Sequence, residues 1–445
     1  MIAPRTSLVA WAAVIVLPLS ILAGVLGGFR GISILGIAVF ALVSLIDLLL
    51  GLGKYRQLEV SLPVVIRVTA GRAFQLDLKL NGSRSRRGAI RLAIDLPPSI
   101  KSEQSHMTVR IDGLISNLAV PVKALSDQRG TYLIRRAFFD WVSPFRFWVF
   151  REKRALDSEV RVYPDLALEG RKIAHFLDRG GFGVHRQRQI GRGREFEKLR
   201  EYEAGDSFDS IHWKAAAKRH KPITKVFQVE KSQEVYLAID SSRLSARSLS
   251  FSSSSSEQTI LERSIAAALL AGATAERQGD LFGLITFSDK VDQLARARSG
   301  SLHFNHCRDL LINLQPKLVT PDFEDIAATL LNRLTKRSLL IFLTSLDDSV
   351  TGENFLAAAR FLAQRHLIMA IMPSPPGTQP LFSAPGVEHT DQIYENITGH
   401  LRWAKLQELR KQLLQTGVLF HLAPGDKFTL AVVSEYLATK RRQLL

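Results

Sequence analysis

Three side chains that could perform nucleophilic chemistry, His303, His306 and Cys307, lie close together on one predicted helix. A cysteine nucleophile needs a base aimed at its sulfur and a third group that orients this base. Neighbouring residues on a helix point in different directions, so this spacing does not favour a nucleophile–base pair. Cys307 is the single cysteine of the chain, which excludes an intrachain disulfide.

Sequence signatures of the common enzyme classes are absent. The chain has no Gly-x-x-x-x-Gly-Lys-[Ser/Thr] phosphate loop, no His-Glu-x-x-His zinc motif and no Gly-x-Ser-x-Gly nucleophile elbow. Gly191-Arg192-Gly193 lacks the preceding strand and the third glycine of a dinucleotide-binding fingerprint. We therefore expect a protein that is not an enzyme, and keep an enzyme with an unrecognised site as an alternative.

The charge of the chain is strongly basic, with 59 Lys and Arg against 42 Asp and Glu and a formal net charge of +17. A cationic surface favours anionic partners, which include lipid headgroups, acidic proteins and nucleic acid. Basic and aromatic side chains alternate between residues 179 and 225, a pattern that can indicate nucleic-acid binding. Acidic residues are interspersed with them, so we expect a solvated or lipid-facing segment and no nucleic-acid partner.

Two apolar segments at the N-terminus, 7–29 and 31–53, are each long enough to cross a bilayer, which takes roughly 20 residues. Arg30 separates them, and Asp47 interrupts the second as a predicted interfacial carboxylate. We predict a two-helix transmembrane hairpin over residues 1–53 that contacts membrane lipids, with a cleaved signal peptide as the alternative. The basic residues outside the hairpin outnumber the one in its turn. The positive-inside rule therefore predicts a multi-pass protein of the cytoplasmic (inner) membrane with its soluble body in the cytoplasm.

The elements behind the hairpin fall into two patterns. Short segments of alternating apolar and polar residues predict a β-sandwich domain over 54–165, and a basic connecting segment follows over 166–231. Strands and helices then alternate over 232–445, which predicts an α/β domain with a mostly parallel, Rossmann-like sheet covered by helices. Its first buried strand ends at Asp240, at the edge where ligands of such sheets bind. The serine-rich segment 241–256 follows as a predicted disordered loop.

The connecting segment contains a spaced motif, whose residues are Arg200, Tyr202, Gly205, Asp206, Ile211, Trp213 and Lys214. Gly205-Asp206 predicts a turn, and a residue at 209–210 can cap a short helix that begins at Ile211. Trp213 and Ala217, four residues apart, share one face of this helix. We predict that this face docks on a neighbouring domain and leaves Trp213 half within the core.

The spaced motif resembles the signature of a bacterial family called domain of unknown function 58. The resemblance extends to Arg129-Gly130-x-Tyr132, Ser143-Pro144-Phe145 and Val162-Tyr163-Pro164 in the β-domain. It implies a membrane-anchored interaction or assembly protein whose partner is an AAA+ ATPase of the MoxR type, with no reaction attached. Ser143 and Arg146 depart from the Asp and Gly of the family's usual Asp-Pro-Phe-Gly.

The resemblance also implies a C-terminal domain similar to von Willebrand factor type A domains, which often bind Mg²⁺ through Asp-x-Ser-x-Ser. Asp240 and Ser242 match the first two ligands, but Leu244 replaces the second serine and Arg243 adds a positive charge. The threonine and aspartate on later loops have no clear counterparts. We expect a degenerate site without a cofactor, and keep a Mg²⁺-dependent, adhesion-type ligand-binding module as an alternative.

Overall fold

The computed structural model divides into two compact units, Met1–Asp165 and Leu166–Leu445. The residues that the structure describes are 1–52, 58–82, 88–103, 106–111, 115–179, 190–203, 208, 211–228, 233–249, 258–380, 383 and 389–442.

The helices and strands of the first unit run in the following order: β1 (Ile2–Pro4), α1 (Thr6–Val25), α2 (Arg30–Gly51), β2 (Glu59–Ser61), β3 (Val65–Thr69), β4 (Ala73–Gly82), β5 (Gly88–Ile94), β6 (Ile100–Ser102), β7 (Met107–Ile111), β8 (Ile115–Ser126), β9 (Gly130–Val142) and β10 (Trp148–Tyr163).

The two helices α1 and α2 are long and apolar enough to cross a membrane, by length and composition. They have 20 and 22 residues, about 30 and 33 Å at 1.5 Å per residue. Large apolar side chains on both helices stay exposed, among them Val14, Leu17, Ile34 and Leu35. An apolar surface of this extent is costly in water, so the helices indicate association with a membrane.

The strands of the first unit form two sheets that share one hydrophobic core. One sheet has the order β1-β10-β9-β5-β7, with β3 parallel to β10, and the other has the order β2-β4-β8-β6. Alternate residues of β4, namely Leu76, Leu78 and Leu80, are buried together with Ile134 and Val160 of the other sheet. Burial of each such side chain contributes about 1.5–3 kcal/mol.

Asp47 of α2 is buried rather than an exposed interfacial carboxylate. Its Oδ2 accepts a hydrogen bond from Ser143 Oγ at 2.5 Å, and its Oδ1 accepts one from the Phe145 N–H at 2.8 Å. The Phe147 N–H also donates to Oδ2, at 3.2 Å. The turn between β9 and β10 thus satisfies this carboxyl group, whose burial without partners would be costly.

The helices and strands of the second unit run in the following order: α3 (Ala167–Arg179), β11 (Ile190–Glu201), α4 (Trp213–Arg219), β12 (Ile223–Gln228), β13 (Glu234–Asp240), β14 (Ser248–Leu249), β15 (Gln258–Thr259), α5 (Ile260–Arg277), β16 (Leu281–Phe287), β17 (Val291–Arg298), α6 (Ser301–Ile312), α7 (Phe323–Arg333), β18 (Leu339–Leu343), α8 (Ser349–Ala363), β19 (Leu367–Pro373), α9 (Thr390–Gln415), β20 (Leu419–Ala423) and α10 (Phe428–Arg441).

The main sheet of the second unit has the strand order β17-β16-β13-β18-β19-β20. β17 is antiparallel to β16, and the other neighbours are parallel. Val235, Leu237 and Ile239 of β13 pack into a core with α5 and α10, whereas Tyr236 and Ala238 pack into a second core with α7, α8 and α9. Helices therefore cover both faces, which explains the continuously apolar strands. The sequence correctly predicts apolar N-terminal helices followed by a body that is partly β-rich and partly helical.

Several predicted features of the connecting segment and the serine-rich loop are wrong. The connecting segment contains α3 and the antiparallel pair β11–β12, which were predicted only as a connection. The short helix begins at Trp213 rather than Ile211, because the ring of His212 caps it: Nδ1 accepts from the Ala215 N–H at 3.0 Å. In the serine-rich segment, residues 241–249 form a 3₁₀ turn and the strand β14, which pairs with β15 just beyond the segment; residues 250–256, on which the predicted disorder mainly falls, lie outside the described residues.

Candidate functional site

Asp240 and Thr344 lie side by side at the carboxyl edge of the main sheet of the second unit. β13 ends at Asp240, and Thr344 directly follows its neighbour β18. The strand order reverses between these two strands, and such a reversal opens a crevice where ligands of open α/β sheets bind. This position makes the Asp240 loop the candidate binding edge of the unit.

The carboxylate of Asp240 is only 1% exposed. Its Oδ2 accepts a hydrogen bond from Thr344 Oγ at 2.6 Å, and its Oδ1 accepts one from the Ser242 N–H at 2.7 Å. Burial raises the pKa of Asp240, because desolvation disfavours the charged form, and the hydrogen bonds from Thr344 and Ser242 oppose this shift. Both oxygens of this carboxyl group thus have partners inside the protein.

Ser242, the second predicted ligand, is fully buried and caps the short 3₁₀ turn Arg243–Ala246. Its Oγ accepts from the Leu244 N–H at 3.4 Å, so its hydroxyl faces its own turn. The side chain of Leu244, which stands in place of the second serine, is 1% exposed. The local sequence here builds a packed turn rather than a row of outward hydroxyl groups.

A second polar cluster at the same edge was missed by the sequence analysis. Ser288 Oγ donates to Asp292 Oδ2 at 2.9 Å, and the ammonium group of Lys317 pairs with Asp292. The backbone N–H of Lys317 also donates to the Ser241 carbonyl at 2.7 Å. Ser288 directly follows the buried strand β16, and Asp292 lies near the start of β17; the position of Ser288 is a signal that could have revealed the cluster.

Two arginines that follow Asp240 complete this edge with exposed positive charge. Arg243 donates through Nε to Thr320 Oγ at 3.3 Å. The guanidinium group of Arg247 pairs with Asp347 at 2.6 Å. Thr320 and Asp347 are the residues nearest in sequence to the expected threonine and aspartate ligands, and both contact an arginine instead.

The geometry of this edge does not fit a Mg²⁺ site. Mg²⁺ requires hard oxygen ligands with free lone pairs and retains several waters. Both Asp240 oxygens are engaged, Asp292 pairs with Lys317, and the described part of the chain contains no group of three or more His, Cys, Asp or Glu that could hold a metal ion. Lysine and arginine supply the positive charge that a metal ion would otherwise supply.

The motif residues of the connecting segment gather around β12. Arg200 pairs in register with Thr224 of β12, and Ile211 forms a bridge to the same residue. Ile211 is buried, and Arg200 forms an ion pair with Glu203 at 2.8 Å. Tyr202 packs near Phe208, with ring centroids 6.2 Å apart. Gly205 and Asp206 lie outside the described residues.

Trp213 is exposed, in contrast to the prediction that it lies half within the core. Its side chain is 68% exposed, and Phe208 is 72% exposed. Trp213 and the exposed Lys214 open the short helix α4, where the His212 cap fixes the first turn. Phe208, Trp213 and Lys214 are called the motif surface below. An exposed tryptophan on a fixed turn is typical of residues that bind protein partners.

The candidate nucleophile Cys307 is buried in α6. Desolvation raises the pKa of its thiol to about 12, so the thiol is neutral at ordinary pH. His303 Nε2 lies 2.8 Å from the Phe282 carbonyl and 3.5 Å from Cys307 Sγ. A ring nitrogen that donates to a carbonyl carries a proton and cannot accept one from the thiol. This pair therefore cannot act as nucleophile and base.

Residues 198–391 match the family model described as Protein of unknown function DUF58, which confirms the resemblance predicted from the motif. The chain is similar to the crystal structure of the conserved hypothetical protein BatB from Bacteroides thetaiotaomicron, with 13% identity, 47% of this chain and 99% of that chain covered, and a TM-score of 0.29. It is also similar to an uncharacterized membrane spanning protein from Vibrio fischeri, with 15% identity, 46% and 98% covered, and a TM-score of 0.18. Similarities this low carry no argument about fold or function. No curated protein matches the sequence.

Proposed function

We propose that this DUF58 chain is a membrane-anchored interaction or assembly protein whose partner is an AAA+ ATPase of the MoxR type. In this proposal the first unit is a β-sandwich carried by a transmembrane hairpin, and the second is a type A-like, Rossmann-like domain that presents the binding surface. The class of partner comes from the family resemblance. The exposure of Trp213 is the observation that carries the interaction role.

The motif surface supports this role through its composition and its fixed geometry. Tryptophan is enriched among the few residues that dominate binding energy at protein interfaces, and its side chain has little conformational entropy to lose. Trp213 lies beside Lys214 on a turn held by the His212 cap. A large apolar ring with a neighbouring cation suits a partner surface that combines an apolar pocket with acidic residues.

The membrane placement in this proposal is that of a hairpin with both ends on the cytoplasmic side. The start of α1 and the end of α2 both hydrogen-bond to β9, β10 or the turn between them: the Arg5 N–H donates to the Phe147 carbonyl at 2.9 Å, and Trp141 Nε1 donates to the Gly51 carbonyl at 3.2 Å. These bonds support a hairpin whose two ends lie together. The charge distribution around it favours the cytoplasm for the body.

Two alternative functions have less support from the described residues. A Mg²⁺-dependent adhesion module needs free oxygen ligands, whereas Asp240 is buried and bonded on both oxygens. An enzyme needs an activated group, and the high pKa of Cys307 removes the one nucleophile that the sequence suggests.

The proposal is tested by affinity capture of the full-length tagged chain from its native membranes after gentle solubilisation. We expect an AAA+ ATPase to be captured with the wild-type chain and with Leu302→Ala, which removes an even more exposed apolar side chain outside the motif surface. Capture should fall by about tenfold or more with Trp213→Ala, because truncation of an interface hot spot costs at least about 2 kcal/mol. Absence of any ATPase from the wild-type sample would contradict the proposal.

A further inference from the structure

The turn between β9 and β10 is attached to the ends of both apolar helices by an unusually complete set of hydrogen bonds. Besides the three bonds to Asp47, Trp148 Nε1 donates to the Ser44 carbonyl at 3.0 Å and Ser7 Oγ donates to the Arg146 carbonyl at 2.5 Å. β1, directly before α1, pairs with the start of β10. The turn therefore has a fixed height along the helices.

The turn lies beside the C-terminal half of α2, between the end of this helix and its middle. Asp47 precedes Gly51 by four residues, or about 6 Å, and Phe40 precedes it by eleven residues, or about 16 Å. The ring of Phe147 lies 6.1 Å from the ring of Phe40. If the hydrocarbon core of a bilayer, about 30 Å thick, is centred on α2, which is about 33 Å long, it includes the ring of Phe147.

The side chains of this turn are those found where a protein meets the boundary of a bilayer. Phe145 is 55% exposed, and its ring centroid lies 6.4 Å from that of Phe147. Pro144 and Arg146 beside it are exposed as well. Phenylalanine is among the apolar side chains that insert at the boundary of headgroups and lipid chains, and an arginine there can extend to the lipid phosphates.

The buried bonds of Asp47 fit the same location. A carboxyl group at this depth loses most of its water, and without hydrogen-bond partners its burial is expensive. The Ser143 hydroxyl and the N–H groups of Phe145 and Phe147 replace that water. Asp47 can thus occupy an otherwise apolar helix at the membrane boundary, because the turn supplies its hydrogen-bond partners at that depth.

We propose that the turn Ser143–Phe147 is a second membrane-inserting element, which places the rings of Phe145 and Phe147 among the lipid chains and Arg146 at the lipid phosphates. The proposal rests on the membrane hairpin of the proposed function. Its occupant is the bilayer because the exposed ring of Phe145 and the half-buried ring of Phe147 continue the apolar surface of α1 and α2 at the same height. The turn fixes the β-domain against the membrane surface in addition to the covalent link through the helices.

The test uses the full-length chain with a nitrobenzoxadiazole probe on Phe145→Cys, in a Cys307→Ala background so that the probe carries the single thiol. The chain is reconstituted into vesicles of phosphatidylcholine and anionic phosphatidylglycerol, with or without nitroxide-labelled lipids that quench the probe. Leu17→Cys in α1 is the positive control. Leu133→Cys is the negative control, because this exposed residue of β9 lies ten residues before Ser143, roughly 30 Å along the strand.

We expect the labelled lipids to quench the Phe145 probe, as they quench the Leu17 probe, and to leave the Leu133 probe unquenched. A quenched Leu17 probe with an unquenched Phe145 probe would overturn the inference and leave the hairpin intact, since the turn would then face water or a protein. If neither probe is quenched, the membrane part of the proposed function fails as well. Pro144→Cys repeats the measurement if the Phe145 variant does not keep the wild-type melting temperature.

Discussion

At the scale of single residues, the surroundings of an acid decide whether it can serve a ligand or only the fold. Asp240 occupies the position predicted for a metal ligand, yet burial and hydrogen bonds to Thr344 and Ser242 engage it completely. Asp47 was predicted as an ordinary interfacial carboxylate, yet three bonds from a distant turn surround it. The sequence identifies both residues as notable but does not reveal most of their partners, because Thr344 and the turn around Ser143 lie about a hundred residues away from them.

Asp240→Asn is expected to leave the melting temperature unchanged or raised at pH 7. Burial raises the pKa of Asp240 above its ordinary 3.8, so the carboxyl group stabilises the fold fully below that value. Its contribution is lost as the pH rises through the raised pKa. The melting temperature of the wild type relative to the variant should therefore fall as the pH rises from 3.8 through the raised pKa of Asp240.

Asp348→Asn provides a control of opposite sign for this series. The hydroxyl and N–H of Thr351 lower the pKa of Asp348, so its stabilising contribution is present above its ordinary pKa and is lost at acid pH. A pH-independent difference for Asp240→Asn, or a large loss of stability at pH 7, would show that the carboxylate is needed in its charged form.

Mg²⁺ titration of the wild type should give no heat and no shift in melting temperature.

Cys307 is expected to react slowly with iodoacetamide in the folded protein at pH 7–9. Its thiol is buried and its pKa is raised to about 12, and only the thiolate is the nucleophile. The matched measurement is the same reaction in denaturant, where the thiol should react at the rate of an ordinary cysteine. Rapid alkylation of the folded chain below pH 9 would reopen the enzyme alternative.

At the scale of elements, the sequence predicts the helices and strands that are specified by their own residues. The buried strands β13 and β16 and the helix α5 stand out by apolar composition and caps, and the structure has them close to the predicted bounds. The strand β11 is mostly polar and β12 and β17 are half polar, and pairing with a neighbour rather than burial on both faces specifies them. Such pairing is not visible in a single strand's sequence.

Arg146→Gly is expected to stabilise the first unit by about 1 kcal/mol. Arg146 has a φ of 64°, the left-handed region that costs a residue with a Cβ atom roughly 1–2 kcal/mol. Denaturant unfolding in detergent checks the change, and Arg151→Gly, which places glycine within β10, should instead be destabilising. A loss of stability in Arg146→Gly would contradict the assigned backbone geometry.

Gly51→Ala is expected to destabilise the junction of α2 with the β-domain by about 1–3 kcal/mol. A Cβ atom at Gly51 would lie 2.2 Å from the Phe150 ring, whereas one at Gly24 would meet nothing within 4 Å. Gly24→Ala is therefore the matched control and should be neutral. The cost of Gly51→Ala should shrink in a chain that already carries Phe150→Leu. Equal effects of the two alanine substitutions would argue against this packing.

At the scale of the whole molecule, an apolar anchor and a basic body belong to one chain of net charge +17. The first unit contains both apolar helices and the turn that satisfies Asp47, and the second unit contains the motif surface and the sheet edge. This distribution is the one that the proposed function requires, with attachment in the first unit and partner binding in the second. It is consistent with a protein that presents a binding surface to a partner near a membrane.

The most direct measurement of this account is site-specific photo-crosslinking in native membranes, with a benzophenone amino acid in place of Trp213 or, as a control, Leu302. We predict that the probe at 213 forms a crosslink to an AAA+ ATPase and that the probe at 302, where the native side chain is more exposed, does not. A crosslinked ATPase at both positions would mean that the motif surface is not the docking site. Absence of any ATPase crosslink at 213, in membranes where the ATPase is present, would contradict the proposed interaction.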